Sequence, residues 1–563
     1  MTYFLESVKS QRSRQLLGLF LLLALVVTVA SRLMGFFLPD QFNEEFRILY
    51  HLDPLKTNDK DYAGQFLGQF PQPLLYVFTT EVALGLGMDL ELFHRLLGAG
   101  CFLLFLGGSM VAALRLGGLF ALTVVAFSAA QIVFYQQTSS ATPHAFAFPL
   151  LAWMFVSLLC DRPHWGGVLT VLASLLYVPI APLMGLMFAA HLLILRRGLA
   201  DISSRCWLNL TWIAAVGLIS VALVAHQLEP VDGYGAVLTP GEMVEEFPEN
   251  GPQGRYDISV FEPVYHISAS ALGQFNQLVP APLALSLFAF VGAFTALGLY
   301  NLRTAPLVLR PTLVFTAVSL LMFGFVFFLR PYVSYRFVLY PLFTVVPFLF
   351  VFGLNSILFR KQSNPRAAIL VFFSSLSILF LTLGTAKDNQ TNGWLTLNSA
   401  DQEMLQFLSS TPEDSLIAAW PNQNASSLIP YIAGRPLLVD MKAHYPNYVG
   451  HLLEMRQRMF GVVDAYFATS PEALIKLNCL WDANYLVVMR PALIDGNASL
   501  SYFAPFDRRI KKRIEATVGK QLFLLDLPKE SVVFSSGQYQ IVNLEYFADR
   551  TDCDLFIEQS DRP

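Results

Sequence analysis

Long apolar runs separated by short polar links fill most of the chain from residue 17 to residue 383. Most of these runs are near twenty residues long, the length that a helix needs to cross the hydrocarbon of a bilayer. The pattern therefore predicts membrane-spanning helices at 17–37, 92–114, 116–134, 145–159, 207–226, 282–299, 312–329, 337–358 and 367–383.

Two further apolar runs differ from this pattern. Residues 74–87 are short for a span and contain Glu81, so we expect this segment to lie along the membrane surface. Residues 166–195 are too long for one span and carry Pro179 and Pro182 in the middle. Proline interrupts a helix, so this segment is interpreted as two crossings, with a single interrupted crossing as the alternative.

The basic residues of the links predict the orientation, because cytoplasmic links are enriched in Lys and Arg. Two crossings at 166–195 and none at 74–87 place the basic links on the same side as the basic N-terminus. These links contain Arg115, Arg162, Arg196, Arg197, Arg205, Arg303, Arg310, Arg360, Lys361 and Arg366. The prediction is a polytopic α-helical protein with about eleven spans. A bacterial inner membrane is expected, with the N-terminus cytoplasmic and the C-terminus periplasmic.

Composition agrees with a membrane protein that carries a polar domain. The chain is 55% hydrophobic and only 14% charged, whereas soluble domains carry about 25% charged residues. A net charge of −4 gives no basis for a nucleic-acid partner. Cys479 and Cys553 lie in the polar C-terminal part, and whether they pair depends on that part being outside the cytoplasm.

Residues 387–563 have the pattern of a soluble α/β domain, distinct from the membrane part at 1–386 with its outer loops 38–91 and 227–281. Ser399 with Gln402 resembles a capping box, and Ser470–Pro471–Glu472 is a strong helix start. Short apolar strands are predicted at 415–420, 436–440 and 484–489, with a helix at 448–460. Strands that alternate with helices favour a parallel or mixed sheet. A basic helix face at 508–513 is interpreted as solvated, with anionic headgroups as the alternative partner.

An acidic stretch follows the first predicted span. Asp40, Glu44, Glu45 and Asp53 lie in LPDQFNEEFRILYHLDP, directly after the apolar run. Charged groups beside hydrocarbon are costly, so such carboxylates are candidates for a functional site. The alternative is a hydrated loop.

Several segments together resemble the GT-C superfamily of integral membrane glycosyltransferases, which includes protein O-mannosyltransferases and aminoarabinose transferases. The resemblance rests on RLMGFFLPDQFNEEF (32–46), PQPLLY (71–76), FHRLLGAG (93–100), ATPHAFAFPLL (141–151) and RPYVSYRFVLYPL (330–342). It implies a GT-C-like membrane domain that moves a sugar, with inversion, from a polyprenyl-phosphate donor. The acceptor, a glycan, a lipid or a protein, would lie on the outer face.

The resemblance also implies roles for particular residues. A carboxylate base is expected at Asp40, with Glu44 and Glu45 as alternatives. The donor phosphate is expected at an arginine, from among Arg336, Arg330 and Arg47, and the substrate cavity is expected to include His144, Arg95, Arg255 and Tyr256. No cofactor is assigned, and a divalent metal stays open.

Two other functional classes remain open at this point. Pro179 and Pro182 are also typical of the broken helices of transporters, so a solute transporter or lipid flippase is one alternative. A non-catalytic GT-C-like assembly subunit that uses the α/β domain is the other.

Overall fold

A computed structural model describes residues 48, 52, 60–117, 142–195, 205–225, 231–251, 254–255, 281–304, 306–329, 336–358, 397–421, 425–445, 447–494, 500–548 and 553. Its helices are α1 (Tyr62–Gly68), α2 (Leu74–Gly85), α3 (Leu90–Gly117), α4 (Ala147–Leu159), α5 (Pro163–Leu176), α6 (Ala181–Ala190), α7 (Arg205–Ala225), α8 (Pro240–Glu245), α9 (Ala281–Asn301), α10 (Pro306–Leu329), α11 (Arg336–Leu358), α12 (Ser399–Ser409), α13 (Val449–Tyr466), α14 (Glu472–Trp481), α15 (Arg490–Ile494) and α16 (Phe506–Thr517). Its strands are β1 (Leu416–Ala418), β2 (Ala483–Met489), β3 (Val532–Ser535) and β4 (Tyr539–Asn543).

The chain divides into two compact units. The helical unit comprises Met1–Leu38, Pro73–Leu228 and Val260–Trp394. The α/β unit comprises Pro39–Gln72, Glu229–Ser259 and Leu395–Pro563. Segments from both predicted outer loops therefore fold with the C-terminal part of the chain.

Helices α3, α7 and α10 contain segments long and apolar enough to cross a membrane, at Leu92–Ala112, Trp207–Ala225 and Val308–Phe325. The described part of the helical unit thus agrees with the predicted polytopic α-helical class. The total of about eleven spans stays a prediction, since several of the predicted runs lie outside the described residues.

The long apolar run with two prolines folds as a helical hairpin. Helix α5 ends at Leu176, a short 3-10 turn follows at Val178–Ile180, and α6 begins at Ala181. Gly185 faces Thr170, and Gly167 faces Phe188, so the two helices run antiparallel. This hairpin agrees with the interpretation of residues 166–195 as two helices.

Glycine brings the backbones of α9 and α11 into contact. A Cβ atom on Gly298 would overlap the carbonyl oxygen of Leu349, and one on Gly353 would overlap that of Phe294. Small residues allow such close approach between membrane helices, where packing rather than the hydrophobic effect drives association. This reciprocal contact fixes α9 against α11.

The α/β unit contains a four-stranded mixed sheet with strand order β1-β2-β4-β3. Strands β1 and β2 pair in parallel, and β2, β4 and β3 pair antiparallel. The mixed sheet predicted from alternating strands and helices is therefore present. The predicted strand at 436–440 is reduced to a single parallel bridge between Ile417 and Leu437.

Helix α12, the first helix of the C-terminal part, is capped one residue earlier than the sequence predicted. The Asn398 side chain accepts from the Asp401 amide, and the Asp401 carboxylate accepts from the Asn398 amide. The predicted pair, Ser399 with Gln402, is wrong because Asn398 and Asp401 occupy the cap and N3 positions. The helix predicted at 448–460 continues as α13 to Tyr466.

One apolar core joins the sheet to its flanking helices. Trp420, Tyr466 and Leu486 are fully buried in it. Helix α16 buries Phe506 and Ile510 on the same core, which leaves its basic residues outside. A disulfide joins Cys479 of α14 to Cys553, so the two cysteines whose pairing was left open are paired.

The packing of α9 on α11 gives a testable prediction. Gly298→Ala would place a methyl group against the backbone of α11, so we expect a loss of stability of about 1–3 kcal/mol, the usual cost of overpacking. Thermal unfolding of the detergent-solubilised protein measures it. Gly292→Ala on the same helix is the matched control, because no atom lies within 4 Å of its added Cβ. Equal melting temperatures for the two variants would contradict the close approach.

Candidate active site

Three helix starts meet at one end of the helical unit. Arg336 is the first residue of α11, and its guanidinium donates a hydrogen bond to the Tyr177 hydroxyl over 2.9 Å. Tyr177 is buried between α5 and the turn that leads into α6. The hydrogen bond therefore places the proline-containing turn beside the start of α11.

The start of α4 belongs to the same cluster. His144 lies in the 3-10 turn Pro143–Phe146 that leads into α4, and its ring lies 6.4 Å from the Tyr177 ring. The Thr142 hydroxyl is 2.8 Å from His144 Nδ1, which orients the imidazole. Tyr340, one turn into α11, packs on Phe148 of α4 and completes the contact.

Helices α2 and α3 add a second buried polar pair. The Tyr76 hydroxyl is 2.8 Å from His94 Nε2, and both side chains are buried. The Tyr76 ring lies 6.4 Å from Phe146, next to the turn that carries His144. Half-buried Arg95 follows His94, so it lies in the first turns of α3 on this side of the unit.

This arrangement suits an anion. The first amides of a helix have no partner within the helix and carry a partial positive charge, so helix starts favour phosphate and carboxylate groups. The starts of α4, α6 and α11 lie here, although the Ala147 amide already donates to the His144 carbonyl and the Ala181 amide to the Val178 carbonyl. Arg336 adds a permanent cation whose planar fork matches phosphate oxygens. The Tyr177 oxygen accepts from Arg336, which leaves its own proton to donate.

The structure brings some of the predicted site residues together. Arg336 and His144 lie in one cluster through Tyr177, and Arg95 lies at the start of α3. The proposed acids and the remaining cavity and phosphate candidates, Asp40, Glu44, Glu45, Arg47, Tyr256 and Arg330, lie outside the described residues.

Sequence reasoning missed Tyr177, Thr142 and His94. Each lies within or beside a segment that was singled out, but none was assigned a role. A signal existed for Tyr177, because a tyrosine directly before Val-Pro in an apolar run has a hydroxyl that needs a partner when buried. Its partner, 159 residues further along the chain, carries no local signal.

Arg255 belongs to the α/β unit and holds a loop there. Its guanidinium donates to the carbonyl of His444 over 2.8 Å, and its amide donates to the carbonyl of Glu249. Buried Glu249 in turn accepts two hydrogen bonds from Arg456 of α13. These contacts connect the 231–255 segment to the C-terminal part of the chain.

Helix α1 is held on the same unit by ring stacking. The Phe66 ring stacks on His451 of α13 with centroids 3.4 Å apart, and Tyr234 packs edge-on against Phe66. Asp61 caps α1 by accepting from the Gly64 amide. The segment that follows the acidic stretch is thus fixed on α13.

Burial shifts the pKa of the titratable groups around α1. Burial raises the pKa of Asp61 to about 6, although the Gly64 hydrogen bond and Arg458 act in the opposite direction. Burial lowers the pKa of His451 to about 3 and also lowers the pKa of His444. Both imidazoles are therefore neutral in the folded unit near pH 7. Within the described residues, no group of three or more His, Cys, Asp or Glu side chains is placed to hold a metal ion.

The protein is thus a helical membrane-type unit combined with a mixed α/β unit, with an anion-compatible cluster at the helix starts. No family model matches the chain, and no curated protein matches it in sequence. Its structure is similar to that of ArnT from Cupriavidus metallidurans bound to undecaprenyl phosphate, with a TM-score of 0.51 and 14% identity over 94% of this chain and 98% of that chain. The apo form of the same protein gives a TM-score of 0.52 and 13% identity over 95% and 98% of the two chains.

A third similar structure is the archaeal oligosaccharyltransferase AglB from Archaeoglobus fulgidus, in complex with an inhibitory peptide and a dolichol-phosphate. Its TM-score is 0.47, with 11% identity over 86% of this chain and 70% of that chain. The likeness to ArnT concerns the fold, and it extends over nearly the whole of both chains. The predicted resemblance to a GT-C-type fold is confirmed at that level.

The raised pKa of Asp61 gives a pH-dependent prediction. Between the ordinary pKa of an aspartate and about 6, the folded protein holds a proton that the unfolded chain has lost. The contribution of Asp61 to stability therefore falls as pH rises through this window. Asp61→Asn keeps an N-cap but cannot ionise, so the variant should gain stability relative to the parent between pH 4 and pH 7.

Thermal unfolding of the parent and of the Asp61→Asn variant, each at pH 4 and at pH 7, measures this difference in stability. Each pKa unit corresponds to about 1.4 kcal/mol, so the relative gain should be on the order of 2–3 kcal/mol. Asp414→Asn is the control, since that carboxylate is exposed. A melting-temperature difference that does not change with pH would contradict the buried, protonated carboxyl.

Proposed function

We propose that this protein is a GT-C-type glycosyltransferase that moves a sugar from a polyprenyl-phosphate donor to an acceptor outside the cytoplasm. The observation that carries the proposal is the Arg336–Tyr177 hydrogen bond at the meeting point of three helix starts. Support also comes from the likeness of the whole fold to a protein whose structure contains undecaprenyl phosphate.

Arg336 and Tyr177 would bind the donor phosphate. A lipid-linked phosphate lies at the headgroup level, which is also where the ends of spanning helices lie. The guanidinium fork and the tyrosine hydroxyl would donate to its oxygens, and the helix starts of α4, α6 and α11 would add partial positive charge. Arg330 and Arg47 are the alternative phosphate ligands, and His144, Arg95, Arg255 and Tyr256 stay proposed as cavity residues.

The transfer itself needs a base and a leaving group. The acceptor oxygen would attack the anomeric carbon from the face opposite the phosphate, which inverts that carbon. The bond between the sugar and the phosphate oxygen breaks, and the polyprenyl phosphate leaves with both electrons. Asp40, with Glu44 or Glu45 as alternatives, would take the proton of the acceptor hydroxyl. Arg336 would stabilise the negative charge that collects on the phosphate.

The proposed location is a bacterial inner membrane with the α/β unit in the periplasm. The disulfide between Cys479 and Cys553 supports this side, because disulfides persist in oxidising compartments and are rare in the cytosol. The turn at Val178–Ile180 lies beside the start of α11, which agrees with the topology in which 166–195 crosses twice.

The transporter alternative loses its main support. It rested on Pro179 and Pro182 as the signature of a broken helix, whereas the structure has an antiparallel hairpin at this point. The remaining alternative, a non-catalytic assembly subunit, differs from the enzyme in needing no carboxylate base. Loss of sugar transfer in a carboxylate variant that still binds the lipid would separate the enzyme from the assembly subunit.

The first prediction concerns Arg336. Arg336→Lys keeps the charge but loses the bidentate fork, so binding of undecaprenyl phosphate should weaken by about tenfold, the loss expected for one charged hydrogen bond. Tyr177→Phe should weaken binding in the same direction while keeping the ring packing. Native mass spectrometry of the purified protein with added undecaprenyl phosphate measures both.

Arg310→Lys is the matched control, because Arg310 is exposed in the first turns of α10. It should bind the lipid as the parent does. If Arg336→Ala also binds as the parent does, the assignment of Arg336 fails, and Arg330 and Arg47 are the next residues to test.

The second prediction concerns the base. Asp40→Asn should lower sugar transfer by about a hundredfold to ten-thousandfold, the usual contribution of a general base, while undecaprenyl phosphate still binds. The assay is transfer from a pool of undecaprenyl-phosphate-linked sugars by the protein in proteoliposomes. Glu44→Gln and Glu45→Gln are tested in parallel, and Asp53→Asn in the same acidic stretch is the control. Transfer at the parent rate by the Asp40, Glu44 and Glu45 variants alike would exclude a base from this stretch.

A further inference from the structure

A small cleft lies on the α/β unit, at the edge where β2 ends and the β3–β4 hairpin begins. Its volume is about 330 Å³, and its polar lining residues are Arg490, Asp526, Lys529 and Gln540. Leu525, Leu527 and Val532 supply apolar walls. All of these residues come from the C-terminal part of the chain, and none of them has a role in the proposed transfer.

Arg490 is the unusual member of this set. It follows β2 directly, and its backbone amide donates to the carbonyl of Gln538, which fixes its main chain. Its Nε atom is shielded from solvent and has no hydrogen-bond partner in the described part of the chain. A shielded donor without a partner is costly, and each such group needs an explanation.

Nearby carboxylates do not supply that partner. Asp526 lines the same cleft, yet the described residues contain no ion pair between it and Arg490 or Lys529. In contrast, Arg509 and Arg513 of the neighbouring helix α16 both pair with Asp464. The cleft is therefore lined by two cations and one anion, and within the described residues Arg490 Nε has no hydrogen-bond partner.

From these observations we infer that the cleft binds a small oxyanion, a phosphate monoester or a carboxylate, carried on a hydroxylated body such as a sugar. The Nε and a terminal nitrogen of Arg490 form a fork that matches two oxygens of such a group. Lys529 adds a second positive charge at the rim. Gln540 and Asp526 have the donors and acceptors that sugar hydroxyls use.

The two sources of the oxyanion are distinguished by their probes. Glucose 6-phosphate represents the phosphate esters, glucuronate represents the carboxylates, and glucose is the neutral control. Binding to the purified full chain is followed by saturation-transfer NMR of the probe at millimolar concentration, which is the affinity range of a single anion contact.

Arg490→Gln should weaken binding of the preferred anion by about tenfold or more, the loss that follows removal of a charged hydrogen bond. Lys529→Gln, an exposed position, should weaken it less and provides a second test if the Arg490 variant does not fold. Arg508→Gln on α16 removes one positive charge outside the cleft and should leave binding unchanged.

Stronger saturation by glucose 6-phosphate or by glucuronate than by glucose, lost in the Arg490 or Lys529 variant, supports the inference and identifies the anion. Saturation equal to that of glucose for every anion overturns it. Anion binding that falls equally in the Arg508 control also overturns it, because the effect would then be one of net charge.

Discussion

The helical unit depends on one constraint of backbone chemistry. Proline lacks the amide hydrogen that a helix interior needs, and hydrocarbon offers no water to replace a lost hydrogen bond. The run that contains Pro179 and Pro182 turns at Val178–Ile180, and both prolines lie in the first positions of a helical element, where no intrahelical bond is lost. The turn leaves Tyr177 at the end of α5, where its hydroxyl accepts from Arg336. The meeting of the helix starts, and with it the candidate site, follows from this turn.

The α/β unit is built from three separate parts of the chain, and aromatic and ionic contacts join them. Phe66 stacks on His451, and Glu249 pairs with Arg456, so both α1 and the 231–255 segment are held on α13. Helix α1, which follows the acidic stretch along the chain, is thus fixed on a folded unit.

Local patterns predicted most elements of the described chain but not their limits or their partners. The apolar runs locate α3, α7, α10 and α11, and the short strands locate β1 and β2. The cap of α12 was placed one residue late, because two overlapping polar pairs satisfy the same spacing rule. The 436–440 strand became a single bridge, because its neighbour β1 extends over only three residues. The β3–β4 hairpin was not predicted.

By itself, the sequence determined the membrane class and the α/β character of the C-terminal part, and it singled out Arg336 and His144 as candidate site residues. These properties depend on hydrophobic period, composition and residue chemistry, all of which are local. The tertiary structure alone decided that Tyr177 is the partner of Arg336, that the outer-loop segments fold with the C-terminal part, and that Arg255 holds His444 there. Each of these depends on contacts between residues more than a hundred positions apart, which hydrophobic period and residue propensity do not encode.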